Sequence, residues 1–211
     1  MARWRIFSPI GASCVFRGKL CCNRGCKDRE MTEIFLVRHG EAAAKWGESP
    51  DPGLSPLGHE QAAAASQALT EYGALHLISS PLLRAKETAM PLANALGAGV
   101  EIVDLYREIP SPLDCDDRQG WLSQMMKQSW QEQSEVIRDW REALWDSLFE
   151  LETSTVIFTH FMVINAVVSR LTNVDATVCC VPDNCSITRL HKDDMALNLV
   201  EVGRQHQTHV N

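Results

Sequence analysis

The stretch Phe35-Leu36-Val37-Arg38-His39-Gly40-Glu41 decides how this chain is read. An apolar run from Ile34 to Val37 stops at a cation, an imidazole and a glycine. Near-continuous apolar character over so short a span predicts a strand buried on both faces, spanning Glu33 to Arg38. A buried strand that ends abruptly in polar residues delivers them to the carboxyl edge of a sheet, where open α/β folds bind ligands. Gly40 lets the backbone turn sharply there and approach a ligand closely.

A second run, Thr155-Val156-Ile157-Phe158, is β-branched and apolar and ends in Thr159-His160, followed by a helical stretch from Phe161 to about Leu171. A single histidine at a strand end fits a satisfied core residue. Two of them, accompanied by two arginines, fit a site. Between these strands, Ser55-Pro56 predicts a helix start, with Ala-rich sequence to Tyr72 and a stop at Gly73. Ala42 to Gly53 reads as a loop, with Lys45 and Trp46 at the rim of a site. Leu75 to Ile78 reads as a second strand and Val100 to Val103 as a third. Ser79-Ser80-Pro81 predicts the opening of a helix that reaches Leu96 and Gly97. Arg84 then lies in the first turn, where backbone N–H groups and the helix dipole favour an anion and a guanidinium adds a planar fork for phosphate.

Tyr106 to Pro112 is kept non-helical by Pro110 and Pro112, so Glu108 sits on a loop after a strand. Trp121 to Leu151 is the longest helical region, one bent helix or two. Its Trp130, Ile137, Trp140, Leu144, Trp145 and Leu148 recur near helical spacing and read as a core-facing stripe. Trp121 to Met126 is a candidate lid. Ser186 to Leu190 and Leu197 to Glu201 read as late strands in a hairpin. The order of elements is that of an α/β domain.

The 211 residues, 45% hydrophobic, suit one domain with a sizeable core. The net charge of -7 is uneven: residues 1–30 hold seven Lys or Arg against two acids, which leaves an acidic body. Acidity there argues against a nucleic-acid-binding surface, and the apolar segments are too short or too interrupted to span a membrane. Residues 1–30 form a basic leader, disordered or a start-site extension, and translation is expected to begin at Met31. The domain is expected over 31–203, with a disordered tail at 204–211 carrying His206 and His209. Of eight cysteines, none forms a CxxC pair, and Cys179, Cys180 and Cys185 read as small apolar residues near a strand. This usage points to a reducing, cytoplasmic compartment.

The candidates are therefore Arg38, His39, Arg84, Glu108 and His160. Two guanidinium groups and two imidazoles make an oxyanion pocket for a phosphoryl group. A neutral His can attack phosphorus, a second can stabilise the developing charge, and a protonated Glu can give its proton to a leaving alkoxide. Asp114 and Asp116 rival Glu108 as the acid. The set requires no metal and no cofactor. The two histidines lie about 120 positions apart, without an HxH or HExxH pattern.

Leu36-Val37-Arg38-His39-Gly40-Glu41 resembles the signature of the histidine phosphatase superfamily, also called phosphoglycerate-mutase-like. Ser79 to Ala89 resembles its second motif and Thr159-His160 its third, and Tyr106-Arg107-Glu108-Ile109 sits where the family places its acid. The resemblance covers about residues 31–201. It implies a three-layer α/β/α sandwich with a mostly parallel central sheet. It also implies a phosphohistidine on His39, a phosphoryl group held by Arg38, Arg84 and His160, Glu108 as proton donor, and supporting roles for Gly40 and Glu41.

Ala42 to Trp46 lacks the Asn that mutases place after Arg-His-Gly-Glu, Ile109-Pro110-Ser111-Pro112 replaces a Gly and Trp-Glu-Gly, and Phe161-Met162 replaces a Gly-Gly pair. These departures count against a glycolytic mutase. The expected activity is a metal-independent phosphatase acting on a small phosphorylated molecule, with a phosphoprotein also open. The alternatives are a mutase-type phosphotransferase and a non-catalytic phospho-ligand-binding module. The oligomeric state stays open.

Overall fold

The computed structural model describes residues 32–44, 49–112, 117–193 and 196–206. The leader, Met31, Lys45, Trp46, Asp114, Asp116 and His209 lie outside the described residues. Strand β1 (Thr32–Arg38) forms where the apolar run predicts it, with Ile34 to Val37 at most 1% exposed. It is a central strand of a six-stranded sheet in the order β3-β2-β4-β1-β5-β6. β2 is His76–Ser79, β3 Val100–Ile102, β4 Thr155–Thr159, β5 Ile187–Lys192 and β6 Leu197–Glu201. β1 pairs in parallel with β4, with Phe35 opposite Val156, and β4 with β2 and β2 with β3 are parallel too. β5 is antiparallel to both β1 and β6. The sheet is thus mixed but mostly parallel.

Alternation along β1 divides the core into two layers. Phe35 and Val37 pack with Leu69 of α1 (Pro56–Thr70) and with Leu92 of α2 (Leu83–Leu96). Ile34 and Leu36 pack on the opposite face with Ile137 and Leu144 of α4 (Glu135–Phe149) and with Val163 and Val167 of α5 (Phe161–Leu171). Each buried aliphatic or aromatic side chain contributes about 1.5–3 kcal/mol relative to exposure, which pins β1 between the helical layers and fixes where its end points.

Several local expectations shift. Ser55 does cap α1, its Oγ accepting from Gly58 N at 3.0 Å, and Gly97 ends α2 at φ +61°. Ser79 and Ser80 do not cap α2, which starts at Leu83 behind Leu82 without a side-chain cap. The long helical region divides into α3 (Arg118–Met125) and α4. The break is tertiary: Trp130, 1% exposed, donates its backbone N–H to Asp175 O at 2.7 Å, and Ser129 bridges Ala176. The backbone there bonds outward instead of continuing a helix.

Arg204 to His206, read from the sequence as part of the tail, are bound to the segment before β5. Gln205 bridges Pro182, and His206 N donates to Val181 O at 2.8 Å. Cys179, Cys180 and Cys185 are free thiols. No helix among the described residues is long and apolar enough to cross a membrane.

Candidate active site

β1 and β4 run side by side and end together, so their C-terminal residues are neighbours by construction. His39 N donates to Thr159 O at 2.9 Å, which carries the pairing one residue past β1. The His39 and His160 rings lie 5.1 Å apart, centroid to centroid, tilted by 58°. Arg84, from the first turn of α2, bridges them: its Nε donates to His39 Nε2 at 3.1 Å and Nη2 lies 3.4 Å from His160 Nδ1. Arg38, His39, Arg84 and Glu108 line one cavity of about 870 Å³, while His160, fully buried, stands behind them.

The hydrogen bonds set the tautomers. Gly40 O can only accept, so the Nδ1 of His39, 2.7 Å away, carries the proton. The lone pair of His39 then sits on Nε2, facing the cavity and Arg84. A guanidinium can only donate, so Nδ1 of His160 is the acceptor and its Nε2–H donates to Ser80 Oγ at 2.7 Å. Both rings are neutral. Burial, then Arg84, hold the His39 imidazole down to about 3. Burial, then His39 and Arg84, hold His160 well below the ordinary range.

Arg38 Nη1 donates to Pro182 O at 2.8 Å, and its guanidinium lies over the Phe161 ring at 5.5 Å. Its Nε–H is buried without an acceptor. An unpartnered buried donor on a cation is costly, and a phosphoryl oxygen would relieve that cost.

Glu108, 7% exposed, follows the 3-10 turn Asp104–Tyr106. Its Oε1 accepts from Ile109 N at 3.1 Å and from Met162 N, in the first turn of α5, at 3.2 Å. Burial pushes its pKa up, against the pull of those amides and of Arg84 and Arg38. With Oε1 taken by two amides, the acid proton belongs on Oε2.

Gly40 and Glu41 tie the His39 loop to α1 and α2, Gly40 through its backbone and Glu41 through backbone and side chain. A Cβ on Gly40 would lie 2.7 Å from Gly58 O, so glycine there serves the contact of this loop with α1 rather than the approach of a ligand. Gly40 N donates to Thr88 Oγ1 at 3.0 Å, and Thr88 Oγ1 donates to Arg84 O at 2.6 Å, tying the His39 loop to the Arg84 helix. Glu41 Oε1 accepts from Ser55 Oγ at 2.7 Å and Glu41 N donates to Gln61 Oε1 at 2.9 Å.

Ser80, Thr88, Gln61 and the Pro182 carbonyl are absent from the sequence-derived set. Only Ser80 had a local signal, and that signal read as a cap. The start of α2 is occupied by protein: the Asp51 carboxylate accepts from Leu83 N at 2.9 and 3.1 Å and lies 4.0 Å from Arg84 Nη1. Loop residues Ala42, Pro50 and Pro52 do form part of the cavity rim.

A mixed, mostly parallel sheet of this order, with histidines closing its two central strands, is the phosphoglycerate-mutase-like α/β fold. The chain belongs to the histidine phosphatase superfamily (branch 1), whose model matches residues 34–205. An uncharacterized protein of Mycobacterium tuberculosis is 41% identical over 76 residues, 34% of this chain and 38% of that relative. The probable phosphoglycerate mutase GpmB of Erwinia tasmaniensis is 32% identical over 120 residues, 55% of this chain and 51% of its own length. The chain thus spans about half or less of these two relatives. A mycobacterial glucosyl-3-phosphoglycerate phosphatase shares the fold at a TM-score of 0.59 and 23% identity, over 76% of this chain and 90% of that one. The phosphoglycerate mutase of Bacillus anthracis shares it at 0.64 and 18%, over 83% and 94%.

Proposed function

We propose that this chain is a metal-independent phosphatase that hydrolyses a phosphomonoester through a phosphohistidine on His39. The observation that carries the reading is the orientation of His39. Its Nδ1–H is pinned on Gly40 O, so the Nε2 lone pair faces a cavity lined by Arg38, Arg84 and a raised-pKa carboxyl. In the first step the His39 Nε2 lone pair forms the N–P bond while the P–O bond to the alcohol breaks, and Glu108 Oε2 gives its proton to the leaving alkoxide. In the second, ionised Glu108 takes a proton from water. The water oxygen bonds to phosphorus, and the N–P bond breaks to return neutral His39 and release phosphate.

Arg84 exchanges its bond to His39 Nε2 for a phosphoryl oxygen, and the unpartnered Arg38 Nε–H donates to another. His160, oriented by Ser80, takes up a proton and donates to a third. The guanidinium groups supply the charge that a metal supplies elsewhere. Among the described residues no group of three or more His, Cys, Asp or Glu side chains could hold a metal ion. The free thiols support a reducing, cytoplasmic setting.

The kinship to probable phosphoglycerate mutases supports a second reading, transfer of the phosphoryl group to a sugar acid instead of water. Phosphate release measured beside isomer formation separates the two. The deciding experiment follows acid-labile phosphate on the protein during turnover. His39→Ala is expected to lose the label and about 10³-fold or more of the rate, with chelator leaving the parent unaffected. Undiminished hydrolysis in His39→Ala sinks the mechanism.

A further inference from the structure

Arg38 enters the phosphoryl cluster with its Nε–H buried and without an acceptor. That donor serves a substrate only where the guanidinium is held still. Two contacts hold it: the Pro182 carbonyl, which accepts from Nη1 at 2.8 Å, and the Phe161 ring, whose centroid lies 5.5 Å from the guanidinium carbon. The two supports belong to separate stretches of chain. Phe161 is the first residue of α5, and Pro182 lies on the segment that leads from α5 to β5. Neither side chain can form a hydrogen bond, so both supports depend on what holds their backbone.

One buried side chain reaches both stretches. Asn165, on α5 and 0% exposed, donates from Nδ2 to Phe161 O at 3.0 Å. Its Oδ1 accepts from Cys179 N at 2.8 Å and from Cys180 N at 3.0 Å, with the Cys180 thiol at 3.5 Å. Successive residues of an extended chain face opposite sides. Here the chain bends at Cys179, and both N–H groups meet one oxygen. Pro182 follows two residues after Cys180, within about 7 Å of chain.

On its outer side the same segment bonds to Gln205 and His206, exposed residues whose hydrogen bonds water can replace. Asn165 has no such substitute, because its loss leaves the Cys180 N–H buried and unpaired. Nor does α5 itself call for it. Asn165 interrupts a run of buried apolar residues from Met162 to Val168, where an amide is costly unless it is bonded.

Building on the phosphatase reading, we propose that Asn165 is a positioning residue for Arg38. It clamps the backbone at Phe161 to the backbone that leads into Pro182, and so presents the Arg38 Nε–H to the phosphoryl group. The test is a double-mutant cycle read as the Kd of inorganic phosphate, a midpoint that an inert unfolded fraction leaves unchanged. Asn165→Leu removes the amide at nearly constant volume, and Asn165→Ala is the second variant. With Arg38 in place, either is expected to weaken phosphate about tenfold, the lower end of what a hydrogen bond to a charged group contributes. In an Arg38→Ala background the same change is expected to shift Kd by less than about twofold, because the group it acts through is gone. kcat/KM for phenyl phosphate should follow the same pattern.

An equal loss in both backgrounds, no loss in either, or failure of both Asn165 variants to fold makes Asn165 a core residue alone. Each overturns the proposal and leaves the phosphatase reading intact. Coupling to Arg38 in phosphate binding, in a parent that releases phosphate from no ester, upholds the clamp and overturns the phosphatase reading.

Discussion

Gly58→Ala sets two opposing effects against each other, and the structure decides between them. Gly58 is the third residue of α1, on the face turned to the His39 loop. Replacing a helical glycine by alanine ordinarily stabilises by about 1 kcal/mol. Here the new methyl would lie 2.2 Å from Glu41 O and 3.1 Å from Glu41 C and N, all backbone atoms that cannot rotate aside. That is about 1 Å short of ordinary contact. The Glu41 carbonyl also accepts Ser55 N at 2.8 Å, and the loop is tied by Glu41 N to Gln61 and by Gly40 N to Thr88.

Overpacking of this kind costs about 1–3 kcal/mol, and a broken cap hydrogen bond adds about 0.5–1.5 kcal/mol. The net is a loss of about 1–3 kcal/mol, or about 2–4 °C in Tm for each kcal/mol in a domain of this size. The displaced loop carries His39, and a shift of about 1 Å at a reacting group costs on the order of 10²-fold in rate. Urea unfolding and phosphate release read the two effects separately. Gly73→Ala is the control: Gly73 has φ +79° with nothing within 4 Å, so alanine there costs stability with activity retained. A Gly58→Ala protein as stable as its parent and fully active would refute the close approach of α1 to the His39 loop.

That contact shows where sequence reading stops. Arg38, His39, Arg84 and His160 were legible because each sits at the end of a buried strand or the start of a helix, and such boundaries are local patterns. What holds them is not local. Arg38 is anchored by Pro182 O, 144 residues away, and His160 by Ser80, 80 residues away. The same serine read locally as a helix cap; its Oγ accepts from Leu82 N, one residue before α2 begins, and from His160 Nε2.

Helical spacing placed Trp130 at the head of the tryptophan stripe and left open one bent helix or two. The chain breaks there because its backbone bonds to Asp175, a partner that periodicity does not register. The leading helical turn of α2 was read as open to a ligand anion, whereas Asp51, on a loop marked in the sequence by its glycines and prolines, takes Leu83 N. Strand order is likewise a property of crossovers. Nothing within β1 announces that β4 and β5, more than 100 residues further on, are its neighbours.

Two further outcomes follow from the protonation states. Phosphate binding is expected to take up protons, because a bound dianion offsets the cations and burial that keep His39 and His160 neutral. Calorimetry in buffers of different ionisation enthalpy checks this, and a buffer-independent heat counts against both imidazoles meeting the ligand. Glu108→Gln is expected to separate stability from catalysis. Burial raises the folded pKa of Glu108, while the unfolded value is about 4.3.

Between those two values the folded chain holds a proton that the unfolded chain has lost, so the parent loses stability as pH rises through the window and levels off above it. In Glu108→Gln the amide oxygen can still accept from Ile109 N and Met162 N, and there is no charge to bury, so that slope disappears. Thermal melts of the pair should diverge as pH rises above about 4.3, with Glu108→Gln the more stable, while its phosphate release falls by about 10²–10⁴-fold. Parallel stability curves would mean a carboxylate ionised in the fold throughout, and an ionised carboxylate has no proton to give the leaving group.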